Sequence, residues 1–185
     1  LTPELEKQLL NAANMSELED LYLPYKPKRR TRASIAREKG LEPLAKIIMS
    51  QQETDPLRRA KQFLNPAKDV TTEEEALAGA RDIIAEWINE SQQSRQRMRS
   101  HFERSGEIFA RPVRGKELEG IKYETYYDWA EPLMKAPSHR LLAMFRGENE
   151  GFLKVSIEPE EQQAIESLNR IFVMSSNESS RLVEE

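Results

Sequence analysis

A chain of 185 residues can bury one good core or two small ones, and this one has 38% apolar residues, 32% charged residues and a formal net charge of −4. It has no cysteine, which excludes disulfides and thiolate chemistry and makes a reducing cytoplasm the natural compartment. The longest wholly apolar run, residues 141–145, is far short of a membrane span, and no N-terminal stretch reads as a signal peptide.

Thr2-Pro3 is a cap followed by proline at the first helical position. Ser16 with Glu19 predicts a capping box for a short helix through Leu18 and Leu21, which Pro24 and Pro27 stop. Thr31 is placed to cap the next helix and Gly40 to end it. Pro43 and Asp55-Pro56 open two more, and Asn65-Pro66 closes the second. Thr72 with Glu75 is another capping box, followed by apolar residues at steps of three and four from Ala76 to Ile88. The phase continues weakly to Phe102, with a bend or new cap expected near Ser91, so a long helix is predicted over 72–105.

"EIFARPV" (107–113) and "FLKVSIE" (152–158) are the two good strand candidates, and they predict a small antiparallel pair. Between them, "YETYYDWAEPLMKAP" reads as one or two short helices broken near Pro132, with Glu124, Asp128 and Glu131 sharing a face. Ser138 is expected to cap a helix that Gly147 ends, and Pro159 to start the next. Leu1 in place of methionine, and the helix-like "SSRLVEE" at the other end, predict an internal piece of a longer protein. The fold class is therefore mainly α, a multi-helix orthogonal bundle with one small antiparallel strand pair. Two lobes are expected. Residues 1–66 hold a basic segment at 22–40, and residues 67–185 hold the long helix and both strands.

A search for chemistry returns little. His101 and His139 lack ligand-spaced partners, and "RGKELEG" lacks the glycine and the Ser or Thr of a phosphate loop. The reading is a non-enzyme with no metal and no cofactor. The aromatic residues Tyr123, Tyr126, Tyr127 and Trp129 read as a packing helix, because no basic residue interleaves with them.

The segment "YLPYKPKRRTRASIAREKG" is different: it carries seven lysines and arginines against Glu38, and leaves the rest of the chain at −10. Lys28, Arg29, Arg30 and Arg32 crowd a helix start, where the positive end of the macrodipole disfavours cations and favours a phosphate or carboxylate. The anion is either internal, from Glu17, Glu19 and Asp20, or external, from a nucleic-acid backbone or an acidic partner. Candidate nucleic-acid contacts are Lys26, Lys28, Arg29, Arg30, Arg32 and Arg37. A second basic run, Arg95, Arg97, Arg99, Arg104, Arg111, Arg114 and Lys116, is spread around its helix and is weaker evidence for a patch.

"ELEDLYLPYKPKRRTRASIAREKGLEPLA" closely resembles a hallmark stretch of the bacterial Tex family, the transcription accessory proteins, and "PSHRLLAMFRGENEG" resembles a second. The motif positions are Tyr22, Pro24, Lys28, Arg29, Arg30, Arg32, Gly40, His139, Arg140, Arg146 and Gly147. The resemblance implies a helical body segment of a larger protein whose RNase-H-like, helix-hairpin-helix and OB-fold RNA-binding domains lie elsewhere. It further implies a cytoplasmic, non-catalytic scaffold within a nucleic-acid-binding protein. Expected partners are RNA or DNA through the full-length protein, its other domains and the transcription machinery, with no membrane. In the alternative, the chain is a purely architectural helical module whose basic segment pairs with its own acids or a neighbouring domain.

Overall fold

The computed structural model describes residues 2–26 and 30–185. Thr2 caps α1 (Pro3–Leu10) by accepting the Leu5 N–H at 3.3 Å. α2 (Met15–Tyr22) starts earlier than the Ser16–Glu19 box predicts, because Asn14 accepts the Glu17 N–H at 2.9 Å and the Glu17 carboxylate returns to the Ala13 N–H at 2.9 Å. Thr31 and Ser34 cap α3 (Arg32–Glu38) reciprocally, and Gly40 ends it at φ +88°. α4 (Glu42–Ser50), α5 (Pro56–Ala60) and α6 (Glu73–Glu90) follow, the last opened by the Thr72–Glu75 capping box. The break at Ser91 is real: its extended backbone separates α6 from α7 (Gln92–Ser105).

β1 (Glu107–Pro112) and β3 (Leu153–Glu158) pair antiparallel as expected, but a third strand, β2 (Trp129–Pro132), lies on the other side of β1. The predicted aromatic α-helix is instead a 3-10 turn, Ile121–Tyr126, followed by a left-handed Asp128 at φ +54° that turns the chain into β2. Glu124, Asp128 and Glu131 therefore share no helix face. α8 (Ser138–Asn149) runs through Gly147 rather than stopping there, and Ser138 is its first residue rather than its cap. α9 (Glu161–Phe172) and α10 (Glu178–Glu184) complete the chain. The fold is mainly α, with one three-stranded antiparallel sheet in the order β2-β1-β3.

The chain divides into two compact units, residues 1–96 with 167–185, and residues 97–166. This differs from the expected cut between 66 and 67. The buried face of α6, Ala76, Ala80, Ile83 and Ile84, packs with Ala33, Ala36, Leu44, Ala45 and Ile48 of α3 and α4, so the cut would split one core. Close approach is possible because Gly79 presents no Cβ where the Leu41 and Ala36 side chains press on α6.

Gln51 closes the same unit. It sits buried at φ +53°, and its amide accepts the Met174 N–H at 2.7 Å, the Ser175 N–H at 3.2 Å and the Ser180 hydroxyl at 2.9 Å. Its own Nε2 donates to the Phe172 carbonyl at 2.5 Å. One side chain thus satisfies the otherwise orphaned chain end of α9 and fixes the start of α10.

In the second unit, Ile108 and Ala110 of β1 face Met144 of α8, flanked by Trp129, Val155 and Ile157. Strand alternation sends Phe109 and Arg111 of β1, and Lys154 and Ser156 of β3, to the opposite face.

Candidate nucleic-acid interface

The helical part of the basic segment is held against α6. Arg37, 29% exposed, meets the Glu86 carboxylate at 2.5 Å, and Glu86 is only 10% exposed. The Thr31 hydroxyl donates to the same carboxylate at 3.1 Å. One acid of α6 therefore holds both the N-cap of α3 and a cation of its last turn. Arg30 lies 3.4 Å from Glu38 and Arg32 3.5 Å from Asp82, with the two arginines 72% and 87% exposed. Lys26 is exposed, beside exposed Tyr22 and Tyr25. Lys28 and Arg29 lie outside the described residues.

The acids that meet these arginines are Glu38, Asp82 and Glu86, and two of the three come from a helix some 50 residues away in sequence. They are not the acids immediately preceding the segment. Asp20 is buried and pairs with Arg95, while Glu17 serves the start of its own helix.

The second hallmark stretch lies on α8. His139 is exposed. Arg140 pairs with Glu131 at 2.5 Å and stacks 4.8 Å from the Trp129 ring, so it ties α8 to β2. Gly147 is buried where a Cβ would stand 2.7 Å from Leu153 Cδ1 and 3.2 Å from Tyr123 Cδ1. Arg146 is exposed. His101, in the same unit, makes its ring contact to the Glu160 carbonyl at 3.3 Å. Among the described residues, no group of three or more His, Cys, Asp or Glu could hold a metal ion, and no helix is long and apolar enough to cross a membrane.

A second concentration of positive charge stands at one end of the sheet. Arg111 and Lys154 are directly opposite each other across β1 and β3, both exposed. Val113 donates to the Phe152 carbonyl at 2.9 Å, which extends the pairing and brings exposed Arg114 to the same end. Lys116 lies 6.0 Å from the Phe152 ring centroid. Lys122 pairs with Glu150 at 2.5 Å and lies 5.1 Å from the Tyr123 ring and 5.7 Å from the Phe152 ring. The Lys122 ammonium holds the Glu150 carboxyl below the usual carboxylate range, and Glu150 in turn raises the lysine. Burial pushes the Tyr123 hydroxyl up, with the Glu150 contact adding to it. Among the described residues, no carboxylate pairs with Arg111, Arg114 or Lys154. Sequence reading places Arg111, Arg114 and Lys116 in a run spread around a helix, whereas Arg111 lies on β1, and it misses Lys154, which arrives only through strand register, 43 residues after Arg111. The alternating pattern of both strands was the available signal.

Comparison with known proteins gives a consistent result. A family model described as Tex central region-like matches residues 51–182. Protein tex of Bordetella pertussis is 45% identical over 157 residues, 85% of this chain and 20% of its own length. Protein YhgF of Escherichia coli is 44% identical over 162 residues, 88% of this chain and 21% of its own length. A Neisseria gonorrhoeae protein named transcriptional accessory protein Tex is 43% identical over 157 residues, again 85% of this chain and 20% of its own length. The chain thus spans about a fifth of the length of these relatives.

Proposed function

The chain belongs to the Tex family, and from that premise we propose that it is a non-catalytic scaffold segment of a cytoplasmic, nucleic-acid-binding transcription accessory protein, in which the helical part of the basic segment serves the fold. One observation carries the second half of this reading: Arg37 and Thr31 both engage the poorly exposed Glu86 carboxylate of α6. A cation placed there for a phosphate would be free of such an acid. At Arg37 the favourable C-terminal end of the α3 dipole adds to the pairing.

The test is the triple substitution Arg30→Ala, Arg32→Ala and Arg37→Ala. We expect the melting temperature to fall by about 5 °C, with most of the loss due to Arg37, and binding to a single-stranded oligonucleotide to stay the same. An unchanged melt with binding lost would instead assign residues 26–37 to phosphate contact. That second reading keeps support at Lys26, which is exposed beside Tyr25. Changing Lys26, Lys28 and Arg29 together to alanine examines it separately, since Thr31, Arg32 and Arg37, which pair with α6, are kept.

A further inference from the structure

We infer that the solvent-facing side of the three-stranded sheet is a short binding face for single-stranded nucleic acid. Phe109 is its stacking platform, and Arg111, Arg114 and Lys154 are its phosphate contacts. The inference rests on the reading of the parent as a nucleic-acid-binding protein, but it assigns the contact to residues other than those of the basic segment.

Three observations carry it. The first is charge. Arg111 and Lys154 occupy directly opposed positions, where side chains start about 5 Å apart and like charges destabilise the pair. Among the described residues no carboxylate relieves them, and Arg114 adds a third cation at the same end. A phosphate between them removes the repulsion. The second is the aromatic. Phe109 is on the same face two residues from Arg111, about 7 Å along the strand, and is only partly buried. A ring at that distance can stack on a base whose flanking phosphate meets the arginine. Its cross-strand neighbours, Ser156 and Ala130, are small.

The third observation is polarity along the face. At the far end Glu107 and Glu158 are opposed, and Glu158 accepts the Ser156 hydroxyl at 2.8 Å. The acids repel a continuing phosphate chain, so the site holds a few nucleotides and no more. The aromatic also selects the occupant. A duplex hides its base faces, and a polyglutamate chain has no ring to stack, so a single strand uses all of the face.

The test uses the full 185-residue chain and labelled single-stranded oligouridine and oligothymidine of about 12 nucleotides. A duplex of the same length and polyglutamate serve as competitors, and salt is varied from about 50 to 200 mM. Three phosphate contacts predict a slope of log affinity against log salt near −2, and a dissociation constant in the range of about 10⁻⁴ to 10⁻⁶ M. Arg111→Gln with Lys154→Gln should weaken binding about tenfold and bring the slope near −0.7, while the melting temperature holds or rises slightly because a like-charge pair has gone. Phe109→Ala should weaken binding about fivefold with the slope unchanged. Phe109→Leu, which keeps an apolar side chain on the sheet, should do the same if alanine disturbs the fold.

Wild-type affinity from either Phe109→Leu or the Arg111/Lys154 double variant overturns the inference. So does the absence of binding by the parent chain, or competition by duplex or polyglutamate as effective as that by single strand. Binding lost only in the Arg30/Arg32/Arg37 variant overturns this inference and the architectural reading together. A null binding result with that variant still destabilised sinks the sheet face alone.

Discussion

The basic segment and the basic end of the sheet differ in one respect: where their acids are. Residues 22–40 hold the densest positive charge in the sequence, yet the described arginines there each stand beside a carboxylate, from Glu38, Asp82 or Glu86. The sheet end is sparse in sequence, yet Arg111 and Lys154 face each other with no acid between them. Charge density along a chain measures how many cations are present. Availability for a ligand depends on whether tertiary structure has already supplied the counter-ions.

The largest expected effect breaks the basic segment open at its least exposed pair. Arg37→Ala leaves a carboxylate of α6 poorly hydrated and short of its guanidinium, which should cost about 2–3 kcal/mol. Arg30→Ala and Arg32→Ala should each cost no more than about 0.5 kcal/mol, because exposed pairs are screened. Urea titration of the three single variants separates them. Equal, small losses at all three positions would remove the distinction between a fold-serving and a solvated cation.

Next in size is Gly147→Ala, which attacks the support of the sheet rather than its charged face. Leu153 is itself buried, so it cannot swing away from a Cβ placed 2.7 Å from its Cδ1. Overpacking of this kind should cost about 1–2 kcal/mol. Oligonucleotide binding should weaken with it if the face depends on β3 being in register. A variant that melts like wild type would show that α8 and β3 have room to separate.

Much of the helical layout was legible because capping chemistry is local. Thr2, Thr31 and Thr72 each announce a helix within three residues, and Ser91 marks the α6–α7 break by the polar run around it. β2 was not legible for a physical reason. Its core-facing positions are Trp129 and Glu131, and a carboxylate toward a core reads as a solvent position until Arg140 of α8 is known to meet it. The unit boundary was hidden similarly, because α6 draws its partners from both before and after the expected cut. For the site, sequence identified the family stretches and the cations but not their counter-ions. Asp82 and Glu86 look like the solvated face of an amphipathic helix until α3 docks there.

The smallest effect sharpens the comparison from within the sheet unit. Lys122 lies close to Phe152 at the basic end, but Glu150 occupies it. Lys122 holds the Glu150 carboxyl below its usual range, so that acid keeps masking the lysine to lower pH than an unpaired carboxylate would. Glu150→Gln should therefore free one cation next to Phe152, and if Lys122 serves the same face, the salt slope should steepen by about 0.7 and low-salt affinity rise about threefold. The stability sign is also fixed. A carboxyl with a lowered folded value contributes stability that is full above its unfolded value and is lost as pH falls through the folded one. The wild type should lose that contribution on acidification, and Glu150→Gln should show a flatter acid limb in melts taken at successively lower pH. Unchanged affinity together with a flatter acid limb would mean that Lys122 belongs to the fold, as Arg37 does, and the basic end of the sheet would narrow to Arg111, Arg114 and Lys154.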